Sequence, residues 1–139
     1  VSFRVLMSAC TLSANTQAND DDTIDYLNQL RSGIFEAFVG IVQGLKSDSK
    51  AQLVISQVQG LLGFMNVVFN DHTRTEDVTK TMIGLLGDLA DAFPNGEIRD
   101  YLRADWIQAL IKEGRTGPRN SSLREHTRWA REMIKRASS

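Results

Sequence analysis

A repeat of about 44 residues is the feature of this sequence that most constrains its fold. Shifting the chain by that length places apolar residues on apolar residues: Ile34 on Val78, Phe38 on Met82, Ile41 on Leu85, Val42 on Leu86 and Leu45 on Leu89. These positions follow the three- and four-residue spacing of one helix face. A period in this range is typical of stacked helical pairs of the HEAT and armadillo type. We therefore predict an all-α fold, an α-α superhelix of this type, with an irregular bundle of five or six helices as the alternative.

Apolar periodicity and breaks predict six helices. Their expected bounds are Phe3–Gln17, Thr23–Lys46, Ala51–Phe69, Thr75–Phe93, Glu97–Glu113 with a break near Arg103, and Ser121–Ala137. Asp22 is the predicted N-cap of the second helix and Gly114 the predicted C-cap of the fifth. Residues 1–139 would form one HEAT-repeat segment, a fragment of a longer protein. Its expected parts are the second helix of a truncated repeat (1–17), two full helical pairs (23–69 and 75–113) and a terminal capping helix (121–137).

Three glycine pairs lie inside these predicted helices. They are Gly40 with Gly44, Gly60 with Gly63, and Gly84 with Gly87. Glycine inside a helix costs about 1 kcal/mol relative to alanine, so its presence calls for a reason. Close approach of a neighbouring helix backbone is such a reason. We therefore expect Gly40, Gly44, Gly84 and Gly87 at close helix crossings.

The residue types that carry catalysis or hold metals are few and dispersed. Cys10 lies in an apolar helical pattern, and His72 and His126 are far apart in the sequence. No phosphate-binding glycine loop and no nucleophile motif occurs. The single cysteine excludes a disulfide within the chain, and no apolar run reaches the roughly 18 residues of a membrane span. We expect no enzyme, no cofactor, no metal and no membrane association.

The net charge of −1 conceals two halves of opposite sign. Residues 1–98 hold 6 basic and 12 acidic side chains, whereas residues 99–139 hold 10 basic and 5 acidic ones. The acidic part suits basic partners and the basic end suits acidic ones. Nucleic-acid binding through the basic end is a weak alternative, because stacking aromatic residues are not interleaved there.

Trp129 is the residue that we predict to contact a partner. At about 100° per residue, the inward stripe of the last helix is Leu123, His126, Thr127, Ala130, Met133, Ile134 and Ala137. Trp129 lies at the edge of this stripe, together with Glu125 and Glu132. An aromatic ring between two carboxylates suits an arginine or lysine of a partner. Trp106 has aliphatic neighbours and is expected in the core.

Several segments resemble the C-terminal end of the importin-β (karyopherin-β) family of nuclear transport receptors. They are Asp25-Tyr26-Leu27-Asn28-Gln29-Leu30-Arg31, the run from Glu36 to Lys46 that contains Gly-Ile-Val-Gln-Gly-Leu-Lys, Gly84-Leu85-Leu86-Gly87-Asp88-Leu89, Glu113-Gly114-Arg115, and the terminal helix with Trp129-Ala130. The resemblance covers most of the chain. It implies HEAT repeats at the end of a superhelical receptor.

The resemblance also implies partners. The family binds basic import signals, or the basic importin-β-binding segment of importin-α, and Trp129 matches a tryptophan that meets this segment. Ran-GTP and nucleoporins would bind mainly through earlier repeats that this chain does not contain. The expected location is the cytoplasm, the nucleus and the nuclear pore. The alternative is a structural cap of another helical-repeat scaffold, which would contact no ligand.

Overall fold

In a computed structural model of the chain, helices joined by short loops make up the described part. The structure describes residues 3–15, 20–47, 55–117 and 121–138, and the side chains of 5–15, 20–44, 55–117 and 121–138. Its helices are α1 (Phe3–Asn15), α2 (Asp21–Ser47), α3 (Ile55–Phe69), α4 (Glu76–Ala92), α5 (Arg99–Leu102), α6 (Asp105–Arg115) and α7 (Ser122–Ser138). No strand occurs in these ranges, so the all-α prediction is confirmed. The expected break near Arg103 separates α5 from α6.

The helices form two packed rows. Row A contains α1, α3 and α6, and row B contains α2, α4 and α7, with each helix packed on the next of its row. Contacts of α1 with α2 and of α6 with α7 join the rows. The apolar 44-residue repeat explains row B, because Ile34 and Phe38 of α2 are buried as are Val78 and Met82 of α4. The grouping of 23–69 and 75–113 into helical pairs stays a prediction.

The helices of row B run in the same direction. Ser32 Oγ of α2 donates a hydrogen bond to Asp77 Oδ2 at the start of α4 (2.9 Å). Lys80 Nζ of α4 lies 3.5 Å from Ser122 Oγ at the start of α7. The contacts also advance in the same order along both helices of each pair. Asn28 precedes Ser32 as Thr75 precedes Asp77, and Lys80 precedes Gly87 as Ser122 precedes Trp129. This arrangement is expected when equivalent helices of successive repeats stack in one direction.

Arg31 and Arg74 fix the register between successive helices, and we call the contacts of each arginine an arginine bridge. Arg31 of α2 is buried, donates to the Ser13 carbonyl of α1 (3.2 Å), and pairs with Asp71 in the loop before α4 (Nη1–Oδ2, 2.6 Å). Arg74 donates from Nε to the Phe69 carbonyl (3.2 Å) and forms two 2.7 Å hydrogen bonds with Glu113 of α6. Each arginine thus contacts the end of a row A helix and a carboxylate that lies 40 or 39 residues further along the chain than the arginine itself.

Asn28 supports the first bridge. Its Nδ2 donates to the carbonyl oxygens of Ile24 and Thr73, at 3.0 and 2.9 Å, and its Oδ1 accepts from the Thr75 backbone N–H at 3.1 Å. A single buried amide thereby satisfies backbone groups of the α3–α4 loop that would otherwise lack partners. The loop is held against α2 as a result.

Two predicted helix caps are wrong. Asp20, not Asp22, caps α2, because its Oδ1 accepts the Thr23 backbone N–H at 2.8 Å while Asp22 already lies inside the helix. Gly114 is a buried residue within α6, which ends at Arg115 with Thr116 as its C-cap. The predicted bounds at Gln17 and Ala51, and the side chain of Leu45, lie outside the described residues.

Only some of the glycines lie at close helix crossings. A Cβ added at Gly40, Gly44 or Gly63 would meet no atom of the described residues within 4 Å, so the prediction for Gly40 and Gly44 is wrong. Gly84 also has room, since its nearest neighbour is His126 Cδ2 at 3.9 Å. Gly87 does lie at a crossing, because an added Cβ would collide with the Trp129 ring.

Gly114 is a second close approach, and the sequence reading missed it. An added Cβ there would collide with the Thr127 side chain of α7 and lie 2.9 Å from Ile83 Cδ1 of α4. Thr127 is fully buried and its Oγ1 donates to the Leu123 carbonyl at 2.7 Å. Because both neighbours are enclosed, they cannot move aside easily. The absence of a side chain at Gly114 allows α6 to pack onto α7.

Alanine substitution should separate the two classes of glycine. Gly114→Ala should lower the free energy of unfolding by about 1–3 kcal/mol through overpacking. Gly40→Ala, at an exposed helix position with open space, should raise it by about 0.5–1 kcal/mol through helix propensity. Urea denaturation of both variants measures the two changes. A loss of stability in Gly40→Ala, or none in Gly114→Ala, would contradict this packing.

The first arginine bridge should make stability depend on pH. Partial burial by itself raises the pKa of Asp71, but hydrogen bonds from Thr73 and the bond and charge of Arg31 outweigh it, so this pKa lies below its ordinary value. A carboxyl whose pKa is lower in the folded state stabilises the fold above its unfolded-state pKa. That contribution is lost as the pH falls from about 4 through the folded-state pKa.

Asp71→Asn should therefore be less stable than the wild type at pH 7, by about 3 kcal/mol, because it leaves the buried Arg31 charge uncompensated. Its stability should also change less than that of the wild type between pH 5 and pH 2. Chemical denaturation across this range is the measurement. Glu113→Gln is the matched control, since Glu113 is more exposed and its loss should cost less. Parallel pH profiles for wild type and Asp71→Asn would show that the Arg31–Asp71 pair contributes little.

Candidate functional site

An open cavity of about 610 Å³ lies on the face of row B that is turned away from the core. All three long helices of the row contribute to it. Its lining residues are Glu36, Val39 and Gln43 of α2, Lys80, Thr81, Gly84 and Asp88 of α4, and Glu125, His126 and Trp129 of α7. The volume is within the range of ligand-binding clefts. The surface is therefore shaped by the parallel packing of α2, α4 and α7.

Trp129 forms the apolar part of this cavity. The side chain is 40% exposed, an unusual degree for so large an apolar group. Its ring rests on Gly87 of α4, where any side chain would occupy the same space. Because Gly87 has no side chain, the edge of the ring packs directly against α4, and the rest of the indole remains accessible.

The charges of the cavity are predominantly negative. Glu36, Asp88 and Glu125 bring three carboxylates, against the single ammonium of Lys80. His126 Nδ1 lies 2.8 Å from the Ser122 carbonyl, and because a carbonyl only accepts, Nδ1 carries the hydrogen. An accessible indole ring among carboxylates can receive a cation by cation–π contact and ion pairing together.

The structure brings two of the three predicted contact residues together. Trp129 and Glu125 line the cavity. Glu132 does not line it; its Oε1 lies 3.5 Å from Arg136 Nε one turn further along α7, and both side chains are exposed. The role of all three in partner binding stays a prediction.

Sequence reasoning missed the residues that α2 and α4 contribute. Glu36, Lys80 and Glu125 come from successive helices of row B, and they are separated by 44 and 45 residues. Extending the repeat to the last helix would therefore have identified them as neighbours. The helix wheel places His126 in the buried stripe of the last helix, and this prediction is wrong: His126 is exposed and lines the cavity, because it lies at the margin of that stripe.

The remaining reactive side chains do not form a second site in the described part of the chain. Cys10 is 2% exposed, and burial raises the pKa of its thiol to about 11, so the nucleophilic thiolate is not formed near neutral pH. Among the described residues no group of His, Cys, Asp and Glu is arranged to hold a metal ion. No helix in those ranges has the length and apolar character to cross a membrane. Trp106 packs on Phe69, with ring centroids 6.2 Å apart.

Comparison with known proteins identifies the family. Residues 1–115 match the family model described as "Importin subunit beta-1-like, TPR repeats". Importin subunit beta-1 of Schizosaccharomyces pombe is 38% identical over 132 residues, which cover 95% of this chain and 15% of that protein. The chain therefore spans less than one sixth of the length of this relative.

Solved structures give the same result. A crystal structure of importin beta superposes with a TM-score of 0.90 at 36% identity, over 98% of this chain and 16% of that one. Yeast Kap95p superposes with a TM-score of 0.79 at 29% identity, over 96% of this chain and 16% of that one, and its structures include complexes with RanGDP and with Nup1. The family model matches most of the length of this chain, and the chain shares a HEAT-repeat solenoid with these structures. The chain therefore belongs to the importin-β family of nuclear transport receptors.

Proposed function

We propose that this chain is the part of a nuclear import receptor that receives a basic segment of its transport partner. The receiving surface is the cavity on row B. The observation that carries the proposal is the exposed Trp129 ring, which lies on Gly87 and shares its cavity with the carboxylates of Glu36, Asp88 and Glu125. The expected ligand is the basic importin-β-binding segment of importin-α or a basic import signal of a cargo. The role is that of a binding scaffold, without catalysis.

The chemistry of the cavity supports a basic peptide as ligand. A guanidinium or ammonium group placed over Trp129 would gain about 1–2 kcal/mol when partly desolvated. Carboxylates on α2, α4 and α7 line the same cavity as the ring, so several basic residues of one segment could be bound at once. Long-range attraction between the acidic surface and the basic segment would also speed association. Lys80 opposes this attraction, but its ammonium is one charge against three.

Other partners of the receptor are proposed to bind outside this chain. The Kap95p structures contain RanGDP or Nup1, which shows that a relative meets Ran and a nucleoporin. This chain covers only 16% of that protein, so we assign Ran and nucleoporin binding mainly to the remaining length of the receptor. Movement between cytoplasm and nucleus through the nuclear pore would follow from these interactions.

Trp129→Ala should weaken binding of the basic segment by about 1–2 kcal/mol, which is roughly a 5- to 30-fold rise in Kd. The reason is the loss of the cation–π contact, with the buried stripe of α7 left intact. Isothermal titration of the intact receptor with the basic peptide measures the change. Tyr101→Ala is the matched control, since Tyr101 is also 40% exposed but lies on α5, away from the cavity.

A second pair of variants tests the position of the surface. Glu125→Gln removes a carboxylate that lines the cavity, whereas Glu132→Gln makes the same change outside it. The first should weaken binding more than the second. Thermal melts of all four variants separate lost binding from lost folding. Unchanged affinity with a lowered melting temperature for Trp129→Ala would mean that this ring serves the core, and the chain would then be a structural cap.

A further inference from the structure

A second cavity, of about 410 Å³, lies between the end of α6 and the outer flank of α7. We call it the arginine groove. Its lining residues are Lys112, Arg115 and Thr116 at the end of α6 and Arg124, Arg128 and Arg131 of α7. Five of these six residues are cations and none is acidic. The groove is therefore opposite in charge to the cavity that contains Trp129.

The arginine groove and the Trp129 cavity are separate surfaces. At about 100° per residue, the stripe of Arg124, Arg128 and Arg131 points roughly 140° away from the stripe of Glu125, His126 and Trp129. The buried residues Leu123, Thr127 and Ala130 lie between the two stripes. One ligand side chain could not contact both. The groove thus calls for its own explanation.

Helix stability does not explain the cations of α7. Arg124, Arg128 and Arg131 succeed one another at spacings of four and three, where each like-charge pair costs about 0.2–0.5 kcal/mol. Arg124 also lies in the first turn of α7, where the helix dipole disfavours a positive charge. Lys112 and Arg115 suit the end of α6, but they add two more positive charges to the same groove.

These cations have no acidic partner in the described part of the chain. None of the five side chains forms an ion pair or donates a hydrogen bond there. Glu113, next to Lys112, is occupied by both terminal nitrogens of Arg74. The groove therefore concentrates unneutralised positive charge, which an external anion would relieve.

We propose that the arginine groove binds an acidic polypeptide segment, in which Asp, Glu or phosphorylated side chains lie close together. Four arginines favour this ligand, because the guanidinium group binds carboxylate or phosphate oxygens in pairs. No aromatic side chain lines the groove, so it lacks the stacking surface that single-stranded nucleic acids require. The inference is independent of basic-segment binding at Trp129.

The test is binding of a fluorescent peptide of alternating Glu and Gly to the chain, measured by anisotropy at low salt. Binding should weaken steeply as salt rises, and a peptide of alternating Gln and Gly should not bind. Arg128→Glu should raise the Kd at least about tenfold. Arg99→Glu, the same charge change at an exposed position of α5, should change it less than about twofold. Arg124→Gln with Arg131→Gln, which removes charge without reversing it, should also weaken binding.

Three results would overturn the proposal. Equal losses in Arg128→Glu and Arg99→Glu would show that net charge alone attracts the peptide. Absence of peptide binding by the wild-type chain would leave the groove without this ligand. Binding of single-stranded DNA in place of the peptide would assign the groove to nucleic acid. Thermal melts of each variant show whether it is folded, and the double variant decides the outcome if Arg128→Glu is not.

Discussion

Arg31 and Arg74 each connect three elements of the fold, and the alignment of the helices depends on them. Each arginine donates to a carbonyl at the end of one row A helix and pairs with a carboxylate further along the chain. A guanidinium has five donors in a fixed planar arrangement, so it specifies direction as well as distance. Apolar packing alone would tolerate sliding of one helix along another. The bridges supply directional bonds at the loops, where the relative position of the helices is set.

The alignment of row B produces the cavity that we propose as the binding surface. Because α2, α4 and α7 run in the same direction at a nearly constant offset, Glu36, Lys80 and Glu125 come to one cavity. The Trp129 ring joins them in this cavity, because it packs against α4 at Gly87, where no side chain is in the way. A shift of one helix turn, about 5.4 Å, would separate these groups. The stability of the loops and the composition of the row B cavity are therefore linked through the register of three helices.

Local apolar periodicity and breaks were sufficient to predict the helices and their order, because periodic burial is a local property of the sequence, and the 44-residue repeat was sufficient to predict the solenoid. The exposure of Trp129 and Glu125 on one side of α7 could be predicted for the same reason, since it follows from one helix wheel, whereas their role in partner binding stays a prediction. The bridges could not be predicted, because Arg31 and Asp71 are 40 residues apart and no local pattern joins them. The role of a glycine depends on what lies opposite it. Gly40 faces open space and Gly114 faces Thr127, although both are glycines within helices.

The most direct test of basic-segment binding is nuclear magnetic resonance of the two indole N–H groups, because one lies in the row B cavity and the other lies outside it. Trp129 lines the cavity, whereas Trp106 of α6 packs against Phe69 of α3 within row A. During titration with the basic importin-β-binding peptide, the Trp129 resonance should shift progressively while the Trp106 resonance stays in place. Trp129→Ala identifies the signals. A shift of Trp106 alone, or of neither indole at saturating peptide, would contradict the assignment of the row B cavity as the binding surface.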